Sequence, residues 1–259
     1  MKLFGLLPAL LFATIVESRG ALIAHYDFTD GDLLDNEVGS SFQLSKVATG
    51  VADVTINSDG SANFPGTGGS NKAYLETTTD NGGEPSFTVS FWFKTLDFTQ
   101  GSFQGLFSNN SGGSGTSFSW QVDLNGSDIR LVSQQGVAIT GSTAGYLTDT
   151  WYHVVVRKVA TAETEFYVSQ LGAGSVSLVG EDKGNGQNIG GLQFLRLGVN
   201  RADDSLAQMD MSNVKVYDDA SVDLGVLLAE GPQLIPEPSS VLFLAGGLVM
   251  GGMYRRRQR

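Results

Sequence analysis

Between its two ends the chain shows no long helical period; it shows the two-residue alternation of β-strands. The clearest case is Phe87–Lys94, where Phe87, Val89, Phe91 and Phe93 share one face and Thr88, Ser90, Trp92 and Lys94 the other. This pattern predicts a strand central in a sheet. Further strands are predicted at Leu22–Phe28, Ser117–Leu124, Ile129–Ser133, Trp151–Lys158, Thr164–Gln170, Phe194–Val199 and Met209–Tyr217, with shorter ones at Phe42–Val47, Val51–Ile56 and Ala73–Glu76. Asn57–Gly60, Asn81–Gly83 and Asn125-Gly126 separate them, because Asn, Asp and Gly accept positive φ at little cost. The stretch Asn125–Asp128 reads as the turn of a hairpin, and Ser108–Gly115 as a loop inside one domain. One helix is predicted, Ser221–Glu230, with Leu224, Leu227 and Leu228 at helical spacing and Gly231-Pro232 ending it. Many short strands with regular turns predict an all-β, jelly-roll sandwich.

The alternation fails at both ends, where apolar runs appear instead. Residues Leu3–Val16 follow Lys2 and precede Ser18-Arg19-Gly20, the layout of a secretory signal peptide. Ser18 and Gly20 take the small-residue positions for a cut between Gly20 and Ala21; a cut after Ser18 is the alternative. The second run, Val241–Tyr254, lies between Pro236-Glu237-Pro238 and Arg255, Arg256, Arg257, Gln258, Arg259. The prolines predict an extended spacer. Four arginines after an apolar run stay on the cytoplasmic side, so the tail reads outside to inside as a single transmembrane helix. Fourteen helical residues span roughly 21 Å, short of a ~30 Å hydrocarbon core, which suits a temporary stop.

The order Pro-Glu-Pro, short apolar helix, arginine-rich end resembles the PEP-CTERM sorting signal over Pro236–Arg259. The resemblance implies a Gram-negative, exopolysaccharide-producing source and processing by a membrane enzyme, exosortase. A plain C-terminal anchor is the alternative, with the same topology.

Composition narrows the function classes. The chain has 259 residues, 34 of them Gly, and a net charge of −11. Positions 21–238 carry 10 Lys+Arg against 26 Asp+Glu, a net −16. Such a surface repels nucleic-acid phosphates and anionic lipid, and is compatible with neutral sugars and divalent cations. With no cysteine, thiol chemistry and Cys-based metal sites are excluded, and an exported body must rely on a large core rather than disulfides.

Four segments of the body resemble concanavalin A-like, laminin-G-like domains: Tyr26–Asp30 with Asp35 at the opening, Phe87–Lys94, Trp151–Arg157 as the W-x-H-V strand, and Met209–Asp218 as the closing strand. The resemblance covers about residues 22–218. The implied layout is a signal peptide at 1–20, a sandwich at 21–219, a short helix and spacer at 220–235, and the sorting signal at 236–259.

Candidate chemistry is sparse. A retaining glycoside hydrolase needs two carboxylates about 5 Å apart. Gln208–Ser212 has the alternation of such a strand, but Gln208 and Ser212 stand where carboxylates should be. Glu163 and Glu165 read as solvated strand charges, and His25 and His153, the two histidines, as structural. Many laminin-G-like domains bind Ca²⁺, which takes several hard oxygen ligands. Asp30, Asp32 and Asp35 share one loop, and Asp210 matches the closing-strand Asp, so Asp30, Asp35 and Asp210 are the candidate ligands; turn formation and solvation are the alternatives. Trp92, Trp120, Trp151 and Tyr146 are candidate sugar-stacking faces or core. The expectation is an exported, non-catalytic surface or matrix protein that binds carbohydrate, served by the general secretion machinery and exosortase. A secreted glycoside hydrolase on the same fold and a purely structural adhesion protein are the rivals.

Overall fold

The computed structural model describes residues 20–236, apart from position 67 and the stretches 79–84, 111–118, 135–137, 161–162 and 184–188. The N-terminal run and the positions from Glu237 to Arg259, with the apolar run and its arginines, lie outside the described residues. Among those described, no helix is long and apolar enough to cross a membrane.

In chain order the strands are Leu22–Tyr26 (β1), Leu44–Ala48 (β2), Thr55–Ile56 (β3), Ala62–Pro65 (β4), Ala73–Thr77 (β5), Phe87–Lys94 (β6), Gln104–Asn110 (β7), Trp120–Asn125 (β8), Asp128–Ser133 (β9), Ala138–Ser142 (β10), Tyr152–Val159 (β11), Glu163–Gln170 (β12), Leu178–Lys183 (β13), Phe194–Leu197 (β14) and Gln208–Tyr217 (β15). One helix, Leu224–Glu230 (α1), comes after them. They form two antiparallel sheets, the sandwich the alternation predicts. The first runs β13-β12-β11-β6-β15-β4-β3, with β1 also on β15; the second runs β10-β9-β8-β7-β14-β5-β2.

Strand β15 organises the first sheet. One edge pairs with β6; the other pairs with β4 along Gln208–Met211 and with β1 along Val214–Tyr217. The register shifts between Ser212 and Lys215, where Asn213 adopts φ 49°. Asn tolerates this region better than most residues, and the bulge lets one strand serve two partners.

The apolar faces meet in one core. Phe87, Val89, Phe91 and Phe93 of β6 pack with Trp120, Val122 and Leu124 of β8, Leu195 and Leu197 of β14, and Met209, Met211, Val214 and Val216 of β15. Trp120 stacks on Phe87 at 5.5 Å and on Phe107 at 5.6 Å between ring centroids. Each such side chain contributes roughly 1.5–3 kcal/mol by burial, so the core does what disulfides would otherwise do.

The outer face of the first sheet is covered. Asp223 caps α1, its Oδ1 accepting from Gly225 N at 2.9 Å and Val226 N at 3.4 Å, so the helix starts at Leu224, three residues after the predicted Ser221. Leu224 and Leu227 pack on Val155, and Leu228 on Trp92 and Trp151. The chain then continues as a strap. Asn213 Nδ2 donates to Gly231 O at 2.8 Å, Ser212 Oγ to Gln233 O at 2.8 Å, and Ile235 N to Asp59 O at 2.7 Å, while Leu234 joins Trp92 and Trp151.

Candidate functional site

Helix α1 and the strap cover β6 and β11 of the first sheet, and the outward face of the second sheet carries a groove. Alternation fixes its lining: Leu75, Phe107, Leu195 and Leu197 point into the core, so Glu76, Ser108, Phe194 and Arg196 point out. The register aligns Ser45, Glu76, Arg196, Ser108 and Gln121 in one row across β2, β5, β14, β7 and β8.

Half of this row is roofed by the segment 198–206. Ser108 Oγ donates to Val199 O at 2.9 Å, and Arg201 N to Gln121 Oε1 at 3.1 Å. The roof sits so close that a Cβ on Gly105 would lie 2.0 Å from Asn200 N. Under it Asp123, fully buried, accepts from Arg130 Nε at 2.8 Å and Nη2 at 2.9 Å. Burial pushes the Asp123 carboxyl up, opposed by Arg130 and Gln121. With both its oxygens engaged by Arg130, Asp123 reads as structural.

The other half is a groove of about 460 Å³ lined by Ser45, Glu76, Thr77, Thr78, Asn110, Phe194 and Arg196, within the range of small-molecule sites. Arg196 Nε donates to Glu76 Oε2 at 3.0 Å, and the guanidinium lies 5.8 Å from the centroid of the Tyr74 ring. Burial first, then Glu76 and Asp203, push the Tyr74 phenol up. The groove thus offers hydroxyl, amide, carboxylate and guanidinium groups beside the apolar surface of Phe194, with its two charges paired. That suits a neutral polyhydroxylated ligand. The sequence pattern marked β14 but not this groove, because Ser45, Asn110 and Arg196 come from strands far apart in sequence.

The structure scatters the residues singled out in the sequence. Asp210 lies on the first sheet in a cleft of about 130 Å³. Its Oδ1 accepts from Asn57 Nδ2 at 2.9 Å and Asn63 Nδ2 at 2.8 Å, and Lys94 Nζ lies 3.3 Å from its Oδ2. A cation there would have to displace an ammonium, so Asp210 does not fit as a calcium ligand. Asp30 instead groups with Asp27 and Glu37, their carboxylate oxygens within 4.8 Å of one another. Desolvation and the neighbouring Asp27, Asp30, Asp35 and Asp32 push the Glu37 carboxyl up. Asp30 Oδ1 accepts from Asp32 N at 2.8 Å, and Asp35 Oδ1 from Gln43 Nε2 at 3.5 Å. Asp30, Asp35 and Asp210 therefore form no common set.

Trp92, Trp120 and Trp151 are buried, and Tyr146 stacks on Tyr152 at 4.4 Å; none of the tryptophans presents a face for a sugar. Glu165 pairs with Arg157 at 3.3 Å and accepts from the Tyr167 hydroxyl at 2.9 Å; Glu163 lies 3.7 Å from Lys183. His153 Nε2 meets Ser90 Oγ at 2.7 Å under α1, and His25 Nε2 meets Asn213 Oδ1 at 3.1 Å. Gly20 and Ala21 sit at the entry to β1, and Pro236 lies just past the strap. Glu237, Pro238, Arg255, Arg256 and Arg257 lie outside the described residues.

A family model described as concanavalin A-like lectin/glucanases superfamily matches residues 67–223. The chain belongs to this superfamily. A second model, the PEP-CTERM protein-sorting motif, matches residues 234–258. Among solved structures, domain 4 of AbnA, a GH43 extracellular arabinanase from Geobacillus stearothermophilus in complex with arabinotriose, has a TM-score of 0.58 at 14% identity, covering 82% of this chain and 98% of that one. The binding domain of botulinum neurotoxin serotype D has a TM-score of 0.60 at 12% identity, covering 81% and 52%. That of neurotoxin DC, in complex with rat synaptotagmin II, has 0.59 at 13%, covering 81% and 51%. The chain spans about half the length of these neurotoxin domains. At such identities the likeness is one of fold. Curated proteins yield no match.

Proposed function

We propose that this superfamily member is an exported, non-catalytic protein that binds neutral carbohydrate of the cell surface or extracellular matrix through the groove on its second sheet. The observation that carries the reading is the open groove itself, where Phe194 stands beside the Arg196–Glu76 pair. The arabinotriose in the complex of the arabinanase domain supports a sugar ligand on this fold. The sorting motif supports delivery: a signal peptide starts export, the C-terminal run holds the body outside the cytoplasmic membrane, and exosortase processes the tail.

The hydrolase reading is the weaker one. Retention needs two carboxylates about 5 Å apart, and Glu76, the one carboxylate among the described residues that line the groove, is held by Arg196. The test is a panel of neutral and acidic polysaccharides, assayed for both binding and turnover. Expected is retention of neutral glycans, weakened about tenfold or more by Phe194→Ala or Arg196→Ala. Sustained release of reducing sugar would favour the hydrolase, and a blank panel the structural adhesion protein. Calcium is a separate proposal, centred on Asp30. Calcium that binds the folded body raises its Tm; no rise, or an equal rise in Asp30→Asn, removes it.

A further inference from the structure

Ala21 donates its backbone N–H to Asp218 Oδ1 at 2.7 Å, and Asp218 N–H donates to Ala21 O at 3.1 Å. These bonds extend the β1–β15 ladder one step beyond the Leu22–Tyr217 pair. The acceptor sits on a pinned turn. Thr88, fully buried, donates Oγ1 to Asp219 O at 2.8 Å, Arg157 Nε donates to Ala220 O, and Asp219 Oδ1 accepts from Ser221 N at 3.0 Å. Just upstream, a Cβ on Gly20 would lie 2.6 Å from Asp219 Cβ, so glycine is the residue that lets the chain pass this turn.

We infer that the chain is cut between Gly20 and Ala21 and that Asp218 is the built-in acceptor for the ammonium the cut creates. Hydrolysis breaks the Gly20–Ala21 C–N bond and consumes one water: its oxygen goes to the Gly20 carboxylate, and the Ala21 nitrogen leaves as a protonated amine. A neutral amide donor to the Asp218 carboxylate thereby becomes a cationic one, and the hydrogen bond gains the Coulomb attraction of an ion pair. The surroundings favour the charged form. Asp218 faces it from the turn, and the hollow beside Gly20 is lined by Lys215, Tyr217, Asp223 and Glu230, with Lys215 already ion-paired to Glu230. A cut after Ser18 would leave Arg19-Gly20 in front of a neutral Ala21 amide, and Asp218 would gain nothing. The inference rests on residues 1–20 being a removable leader.

The test starts from the full chain, exported and purified. Intact mass and N-terminal sequencing should place the first residue at Ala21. Its α-amine should titrate above the ordinary range and return to it in Asp218→Asn, which keeps the shape and removes the charge. At pH 7 the wild-type amine should be acetylated ~3- to 10-fold more slowly than that of the variant, as a rise of half to one pH unit in its titration requires. If the variant does not fold, titrating the wild-type amine with and without urea makes the same comparison. A first residue at Arg19, or an amine that titrates alike with and without Asp218, overturns the inference. A retained N-terminus at Met1 overturns the leader reading beneath it.

Discussion

At the scale of single residues, His153 carries the sharpest consequence. Its ring is buried, stacks on Trp92 at 4.8 Å and meets Ser90 Oγ at 2.7 Å, while its Nδ1 has no hydrogen-bond partner among the described residues. Burial lowers its pKa to about 4 from an ordinary 6.5. The folded state thus binds the proton less readily than the unfolded one. The stability His153 contributes is complete above the unfolded pKa and is lost as pH falls from about 6.5 towards 4, by up to about 3 kcal/mol. Denaturation in urea at steps between pH 7 and pH 4 should show this slope. In His153→Phe, which can still stack on Trp92, that part of the slope should vanish even if the baseline stability changes. An unchanged slope would mean that the imidazole binds its proton as readily in the folded state as in the unfolded one.

At the scale of elements, the second sheet depends on how closely segment 198–206 lies on β7. A methyl group on Gly105 would meet the Asn200 backbone at 2.0 Å, so Gly105→Ala must lift the roof. Overpacking of this kind costs about 1–3 kcal/mol, read as a lower urea midpoint, and it should leave the groove half of the face and the glycan binding proposed for it in place. The same strand shows where sequence pattern stops being informative. Strands with one apolar face, such as β6 and β11, were legible, and so was the hairpin turn, where Gly126 takes φ 64° between Asn125 and Asp128. Gln104–Asn110 was not, because Ser108, Asn109 and Asn110 look like turn formers and the predicted loop begins among them. The polar groups of Ser108 and Asn109 are buried and satisfied by distant backbone, Ser108 by Val199 and Asn109 by Gly191 and Gln193. Strands β4, β10 and β13 were missed too. Ala62–Pro65 is short, and Ala138–Ser142 and Leu178–Lys183 sit at sheet edges where exposed residues blur the alternation. The site suffered most: Glu76, Arg196 and Asn110 carry no local signature, and Asp210, which did, is occupied by Lys94 and two asparagines.

At the scale of the whole molecule, the strap decides how the body meets its sorting signal. The last described anchor is Ile235 N on Asp59 O at 2.7 Å, one residue before Pro236. Four residues, 237–240, then separate Pro236 from the apolar run that starts at Val241. Fully extended, that spacer reaches at most on the order of 15–20 Å, so a body held by the tail as proposed would stand within that distance of the apolar run. Removing the chain beyond Pro238 should leave every strap contact in place, and the held and released forms should therefore share one Tm. Replacing Pro236, Glu237 and Pro238 with Ala should leave insertion intact and block maturation, because the triplet contributes nothing to membrane partition. Replacing Arg255, Arg256, Arg257 and Arg259 with Ser should weaken retention and orientation through loss of the positive-inside signal. Lengthening the run to about 20 apolar residues should turn a temporary stop into a stable span. The measurement is the protein's mass in a strain with exosortase and in one without. Loss of the C-terminal peptide only in the first supports the sorting route, and its equal persistence in both makes the tail a plain anchor. A released form that melts well below the held one would mean that the tail, and not the strap, completes the fold.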